Sequence, residues 1–248
     1  MKLKICASIA AINVDQVKSE IHRALESGAD YLEIRLNFAP SSEIAQIVNE
    51  IESDRGKCIL TLRSKIQGGN FGGSEEQRIS IIRRLAEAHP MLIDIELGTL
   101  SSNDNLADYV EQTRTKVLVS WHDFNRTPPT EELSSTLTQM RMYSSYVKVV
   151  TTAKTIEDSL RLMDLYEHTS GLKAIIFAMG EIGVLSRVLC TLIGDAPFTY
   201  ATNGEPVAPG QLTVAQIRNI YSKIARNWED HTRNSPSLKY IEDHDLSK

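Results

Sequence analysis

A β-rich run followed by a segment with helical spacing recurs eight times along this chain of 248 residues, or once in about 31 residues (248 divided by 8). The runs are apolar on both faces, as parallel strands covered by helices are. Strands are predicted at residues 5–10, 31–36, 58–63, 92–97, 116–122, 146–152, 174–179 and 198–201. Helices are predicted at residues 14–27, 41–53, 74–89, 103–113, 130–143, 156–168, 183–193 and 214–228. Eight such units favour a single-domain α/β fold, the (β/α)8 TIM barrel, over the alternative of a doubly wound open sheet.

The chain contains no long linker and no change of composition that would divide it into two folded units. Residues 1–228 are therefore expected to form the barrel as a catalytic domain. Residues 229–248 are polar and are expected to form a C-terminal tail or an extra surface helix.

The charge and the cysteine content limit the kinds of binding partner and the cellular compartment that we expect. The formal charge is −5, with no lysine-rich run, which disfavours a nucleic-acid partner. Cys6, Cys58 and Cys190 lie far apart in apolar patterns without metal-ligand spacing, as buried thiols in a reducing compartment do. No signal peptide and no apolar stretch of membrane-spanning length is recognised, so we expect a soluble cytoplasmic protein without a membrane partner.

Lys148 is the most unusual residue, because it lies in the middle of the apolar strand predicted at 146–152. The neighbouring valines offer little polar company, so burial is expected to favour the neutral amine, a nucleophile that condenses with ketones and aldehydes. His122 ends the preceding strand and would supply proton transfer at the same mouth of the barrel. Together they suggest Schiff-base chemistry. The alternatives are that Lys148 extends to the rim and that His122 caps a turn with Asp123.

Further polar residues lie at the carboxyl ends of predicted strands, where the active sites of barrels are found. They are Ser8, Glu33, Arg35, Arg63, Asp94 and Glu96. Residues two apart on a strand share a face, so Glu33 and Arg35 are expected to point the same way, as are Asp94 and Glu96. An ion pair at the barrel floor is the alternative for Glu33 and Arg35.

Three features after the strands are candidates for contact with a substrate. Residues 67–73 are glycine-rich, and residues 205–211 follow the last strand. We expect each segment to be either a lid over the substrate or an ordinary surface turn. Arg187 stands at the start of a helix, where it either holds a substrate carboxylate or is simply exposed.

The residues resemble the type I 3-dehydroquinate dehydratases, over residues 5 to about 228. The resemblance depends on a set of motifs in this order and spacing. The motifs are YLEIR at 31–35, TLRS at 61–64, IDIEL at 93–97, SWHDF at 120–124 with Thr127 and Pro128, Lys148, the segment from MG at 179–180 to SR at 186–187, and APGQ at 208–211.

This resemblance implies a metal-independent hydro-lyase with a (β/α)8 fold, no cofactor and a homodimeric state. It implies dehydration of 3-dehydroquinate to 3-dehydroshikimate in the shikimate pathway of aromatic amino acid biosynthesis. Lys148 matches the Schiff-base lysine and His122 the proton-transfer histidine. The positions that match substrate contacts are Ser8, Glu33, Arg35, Arg63, Arg187 and Gln211, with Arg187 on the substrate carboxylate.

Two positions depart from the family pattern. Gln67 stands where many members have a glutamate near the catalytic histidine, and Val207 where some have a hydroxyl residue.

Three other functions stay open as alternatives. They are a class I aldolase, a non-catalytic barrel that binds a small carboxylate, and a metal-dependent isomerase. The last would be built from Glu33, Asp94, Glu96 and His122.

Overall fold

Eight parallel strands form one nearly closed barrel in the computed structural model, which describes residues 3–204 and 210–234. The strands are β1 Ile5–Ala10, β2 Tyr31–Arg35, β3 Cys58–Thr61, β4 Leu92–Glu96, β5 Val117–His122, β6 Tyr146–Thr152, β7 Lys173–Met179 and β8 Thr199–Thr202. Strand β1 pairs with both β2 and β8, so the first and last strands are joined. At the remaining seam, between β7 and β8, the rings of Phe177 and Tyr200 lie 6.1 Å apart. The predicted (β/α)8 barrel is confirmed, and the open sheet is excluded.

The helices cover the outside of the barrel. They are α1 Val14–Glu26, α2 Ile44–Glu50, α3 Glu75–Glu87, α4 Leu97–Ser101, α5 Asp104–Thr113, α6 Thr130–Arg141, α7 Ile156–Asp164, α8 Val184–Leu192 and α9 Val214–Asn234. The short helix α4 was not predicted, and it begins directly after β4 at Leu97, which the sequence pattern assigned to the strand. Strand β3 ends at Thr61, two residues before Arg63, so that Arg63 lies on the loop beyond the strand.

Side chains alternate between the two faces of each strand. The barrel therefore has one apolar layer outside, against the helices, and a second one inside. On β6, Val147 and Val149 pack outward against the helices, whereas Val150 belongs to a second cluster inside the barrel. Lys148 and Val150 share a face because side chains two apart on a strand point the same way. The three cysteines are buried and unbridged, as predicted.

Arg78 of α3 ties this helix to the top of the barrel. Its guanidinium group, 1% exposed, donates to the Leu62 carbonyl at 2.9 Å, to Glu96 Oε2 at 2.9 Å and to Thr99 Oγ1 at 2.6 Å. The other carboxylate oxygen of Glu96 accepts the backbone N–H of Ser64 at 2.8 Å. These contacts hold the loop that follows β3 in a defined position.

The C-terminal helix packs over the other end of the barrel. Arg218 of α9 donates to the carbonyls of Gly28 and Leu3 and forms an ion pair with Asp30. Helix α9 extends to Asn234, so the predicted tail begins as a continuation of this helix, while residues 235–248 lie outside the described part of the chain. Among the described residues, no helix is both long and apolar enough to cross a membrane.

We expect Arg78→Ala to lower the free energy of unfolding by about 3 kcal/mol, because it leaves the buried Glu96 carboxylate without its nearest cation. The control is Arg84→Ala, which removes an exposed arginine from the same helix. Urea denaturation followed by circular dichroism measures both variants. Equal losses in the two variants would show that Arg78 contributes no more than a surface residue.

Candidate active site

A cavity of about 370 Å³ opens at the carboxyl ends of the strands. It brings together all eight residues to which the resemblance assigned catalysis or substrate contact. The predicted residues that line it are Ser8, Glu33, Arg35, Arg63, His122, Lys148, Arg187 and Gln211. The cavity is also lined by Gln67, Phe124, Phe177 and Tyr200, which the sequence did not identify as substrate contacts.

Lys148 points into the barrel beneath this cavity and is 5% exposed. Its Nζ lies 3.0 Å from Asp94 Oδ2 and 3.3 Å from Glu33 Oε1, and 4.4 Å from the centre of the Tyr200 ring. The expectation of little polar company is therefore wrong. The flanking valines belong to the opposite face of β6, while the carboxylates come from β2 and β4 on the interior side. Two carboxylates therefore lie beside this nitrogen, where the sequence predicted apolar surroundings.

Asp94 is the centre of the charged groups inside the barrel. Its Oδ2 accepts hydrogen bonds from Arg63 at 2.7 Å and from Lys148, and its Oδ1 accepts one from Ser120 at 2.6 Å. Burial alone would raise the pKa of Asp94, but the charges of Arg63 and Lys148 lower it well below its usual range. Asp94 therefore remains ionised. The sequence placed it on the same strand face as Glu96 and gave it a specific role only in the alternative metal site.

Glu33 is the second carboxylate beside the lysine. Ser8 Oγ donates to its Oε2 at 2.8 Å and Thr61 Oγ1 donates to its Oε1 at 3.1 Å. Burial raises the pKa of Glu33, and the cations Lys148 and Arg35 outweigh that effect and lower it. Glu33 and Arg35 both line the cavity, so they lie at the mouth of the barrel and not at its floor.

His122 lies at the end of β5 with its ring stacked on Phe124, at 5.8 Å between ring centres and 10° between planes. Burial lowers the pKa of His122 well below 6.5, and the nearby cations Arg63 and Lys148 lower it further. At neutral pH the ring is therefore an uncharged base. The turn after the strand is made by Asp123, whose Oδ1 accepts the backbone N–H of Asn125 at 2.8 Å. His122 is thus not the turn-forming residue.

Arg187 is a buried cation without an anion. It is 2% exposed, and no hydrogen bond from its guanidinium group is present in the described part of the chain. Its Cζ lies 4.3 Å from the centre of the Phe177 ring, and burial lowers its pKa to about 10, which leaves it protonated at pH 7. The alternative of an exposed helix arginine is excluded. A guanidinium group held in this way at a cavity is suited to a carboxylate ligand.

Gln211 is placed by a close contact between two glycines. Gly210 has a φ of 71°, and a Cβ there would overlap the carbonyl oxygen of Gly180. This contact brings the chain after β8 against the end of β7. Of the second predicted lid, residues 205–209, with Val207, lie outside the described residues. Lid movement of either segment stays a prediction.

The ligand set expected for a metal-dependent isomerase is not assembled. Glu96 pairs with Arg78 at 2.9 Å, and Asp94 and Glu33 pair with Lys148. No group of three His, Cys, Asp or Glu residues that could hold a metal ion is found within residues 3–204 and 210–225. The interior carboxylates are instead matched with cations.

One cavity at the carboxyl ends of the strands contains a buried lysine, a neutral histidine and a buried arginine. This arrangement is that of an enzyme site on a (β/α)8 barrel. Comparisons with known proteins then show the family. The family model described as "Type I 3-dehydroquinase" matches residues 5–227. The chain belongs to the type I 3-dehydroquinase family, and it is an enzyme of the hydro-lyase class.

Relatives and solved structures agree with this assignment. A 3-dehydroquinate dehydratase of Dehalococcoides mccartyi is 37% identical over 212 residues, which is 83% of this chain and 90% of the relative. One of Thermococcus gammatolerans is 34% identical and covers 87% of this chain and 96% of its own. The crystal structure of the 3-dehydroquinate dehydratase from Geobacillus kaustophilus has the same fold, with a TM-score of 0.83 at 24% identity over 91% of this chain and 92% of that chain.

We expect His122 to titrate well below pH 6.5, because burial disfavours the charged ring and protonation would also place a further cation near Arg63 and Lys148. The free energy of unfolding then falls as the pH drops through 6.5, since the unfolded chain binds a proton that the folded ring resists. NMR titration of the histidine C2 protons measures the midpoint. His122→Gln identifies the signal. A midpoint at 6.5 or above would contradict the neutral base.

Proposed function

We propose that this chain dehydrates 3-dehydroquinate to 3-dehydroshikimate through a Schiff base on Lys148, in the shikimate pathway. The observation that carries the proposal is one cavity that presents the buried Lys148 nitrogen, a neutral imidazole and a guanidinium group that has no anion among the described residues. The names of the relatives support the substrate. The rest of the proposal follows from the charges around each group.

Arg187 supplies the first contact. Its guanidinium group lacks an anion in the described part of the chain, and the substrate is a carboxylic acid. A bidentate contact between the two would give the buried cation its counter-charge and orient the sugar-like ring. Ser8, Glu33, Arg35, Arg63 and Gln211 also line the cavity and are proposed to bind the rest of the substrate, its hydroxyl groups included.

The covalent step uses Lys148. The ammonium group of Lys148 gives one proton to the neutral imidazole of His122, and the amine attacks the substrate ketone. The charged imidazole returns a proton to the carbinolamine oxygen, which leaves as water and gives an iminium ion. The ammonium and the iminium nitrogen carry the same charge, so Asp94 and Glu33 stabilise both without rearrangement. These carboxylates, with their lowered pKa values, remain ionised throughout.

The elimination uses His122. The iminium ion acidifies the adjacent methylene group, and the neutral imidazole removes one of its protons to give an enamine. The enamine expels the neighbouring hydroxyl group, which takes up a proton from the charged imidazole and leaves as water. Hydrolysis of the product imine then releases 3-dehydroshikimate and regenerates the lysine.

The cytoplasmic location, the homodimer and the division of the chain at residue 228 stay predictions from the sequence. The three buried, unbridged cysteines are consistent with a reducing compartment.

We expect Lys148→Arg to abolish covalent trapping and to lower turnover by roughly 10³-fold or more, since arginine keeps the cation between Asp94 and Glu33 but forms no imine. Wild-type enzyme treated with 3-dehydroquinate and borohydride should gain a stable ligand mass on the peptide that contains Lys148. Mass spectrometry and the enone absorbance of the product measure the two effects.

The control is Lys154→Ala, which removes an exposed lysine just after the same strand and should be trapped like the wild type. An unmodified Lys148 peptide in active wild-type enzyme would refute the covalent route. Carbon–carbon cleavage without enone formation would favour an aldolase instead.

We expect Arg187→Met to raise the KM for 3-dehydroquinate by roughly 10-fold to 100-fold, the usual size of a lost charge-assisted contact. The same change should raise the melting temperature of the ligand-free protein, because it removes a buried and unpaired charge. Steady-state kinetics and thermal denaturation give the two values. An unchanged KM would remove Arg187 from carboxylate binding.

A further inference from the structure

Two aromatic rings lie side by side at the seam of the barrel, next to the cavity. Phe177 comes from β7 and Tyr200 from β8, and both side chains are buried. Their ring centres lie 6.1 Å apart, with an angle of 57° between the planes. Both residues also line the cavity, so the pair forms part of its wall.

Each of these rings has one cation of the site over its face. Arg187 Cζ lies 4.3 Å from the centre of the Phe177 ring, and Lys148 Nζ lies 4.4 Å from the centre of the Tyr200 ring. Both distances fall within the range of cation–π attraction, which is strongest where water is excluded. The two cations are thus connected through a pair of packed rings, one under each charge.

Strand pairing holds the two rings from opposite sides of the seam. Phe177 lies opposite Val150 of β6, and Tyr200 lies opposite Cys6 of β1. The ring of Phe198 packs edge-on against Tyr200, at 5.5 Å between centres. Side chains in a close-packed interior have little room to move, so the rings are a rigid support for the cations that lie on them.

Arg187 depends on its ring more than Lys148 does. Asp94 and Glu33 also contact the lysine nitrogen, at 3.0 and 3.3 Å. The guanidinium group of Arg187 makes no hydrogen bond or ion pair in the described part of the chain, and the face of Phe177 supports it. A long side chain that is already held in place need not be ordered when a ligand binds, which removes an entropic cost from binding.

We propose that Phe177 and Tyr200 form a two-ring spacer that holds Arg187 and Lys148 at a fixed separation. The consequence for selectivity rests on the proposed function, in which the arginine binds the carboxylate and the lysine attacks the ketone. A ligand then reaches both groups only if its ketone and its carboxylate are separated by a matching span. In 3-dehydroquinate one methylene carbon lies between the ketone carbon and the carbon that bears the carboxylate. A 2-oxo acid, in which the two groups are adjacent, is too short.

The first test needs no ligand. A proton held over the face of an aromatic ring resonates upfield of its usual position in an NMR spectrum. The guanidinium protons of Arg187 and the protons next to Nζ of Lys148 should both be shifted upfield in the wild type, and Arg187→Met and Lys148→Arg identify the signals. Phe177→Leu should abolish the shift of the arginine, and Tyr200→Leu should abolish that of the lysine.

Tyr200→Phe is the matched control, because it keeps the ring and removes only the hydroxyl group. This buried hydroxyl has no hydrogen-bond partner among the residues that the structure describes, so its loss leaves no other group unpaired. Both upfield shifts should therefore persist in Tyr200→Phe.

The second test compares two keto acids by borohydride trapping on Lys148. The acid 4-oxopentanoate has the same spacing of ketone and carboxylate as 3-dehydroquinate, whereas pyruvate has the two groups adjacent. Each trapping rate is divided by the rate of Arg187→Met with the same acid, which cancels the intrinsic reactivity of the ketone. In the wild type this ratio should be roughly 10 or more for 4-oxopentanoate and about one for pyruvate, because only the first acid reaches the arginine.

Loss of either ring should reduce this selectivity. Phe177→Leu should lower the ratio for 4-oxopentanoate by roughly 3-fold to 10-fold, the cost of ordering one long side chain on binding. Tyr200→Leu should lower it in the same direction, and Tyr200→Phe should keep the wild-type value. Ile176→Ala truncates a buried side chain on the outer face of β7, so it should lower the melting temperature without changing the ratio.

The outcomes separate the spacer from the proposed function. Unshifted Arg187 signals in the wild type, an unchanged ratio in folded Phe177→Leu, or an equal ratio for pyruvate would overturn the spacer even in an active dehydratase. A lost ratio in Tyr200→Phe would assign the effect to the hydroxyl group and overturn the role of the ring. If the wild type traps no keto acid and forms no product, the proposed function fails, and the ligand-free shifts decide whether the rings hold the two cations.

Discussion

The site depends on one carboxylate, Asp94, which lies between two buried cations. Its Oδ2 atom contacts both Arg63 and Lys148, which would otherwise be adjacent positive charges inside the barrel. From the cavity to helix α3 the charges alternate without a break. The order is Glu33, Lys148, Asp94, Arg63, Glu96 and Arg78. Six ionised groups can be buried together because each has a neighbour of opposite sign.

The cations of the site fall into two kinds. Lys148 and Arg63 are fully matched by carboxylates, so their positions are set before any ligand binds. Arg187 is matched only by the face of Phe177 in the described part of the chain. The matched cations provide a fixed electrostatic environment, and the unmatched one provides attraction for an anion. The charges around Lys148 are therefore balanced within the protein, whereas the charge of Arg187 has no anion among the described residues.

Much of the fold and the site could be predicted because both depend on periodicity. The eight repeats predicted the barrel, and strand parity placed Glu33 and Arg35, and Asp94 and Glu96, on shared faces. The surroundings of Lys148 could not be predicted, because its partners lie on β2 and β4, more than fifty residues away. The burial of Arg187 depends on how α8 packs. Only the family resemblance indicated that Gln67 lies near His122, because the three-residue turn that carries Gln67 has no clear sequence pattern.

The contact between Gly210 and Gly180 has a consequence for how the cavity is bounded. Here the backbone of one segment lies against the backbone of another, and no side chain fits between them. Gln211 follows immediately and owes its place at the cavity to that contact. A single methyl group at position 210 would overlap the Gly180 carbonyl oxygen and force the two backbones apart, although it changes no charge. Because neither glycine carries a side chain, the two segments can approach this closely at the edge of the cavity.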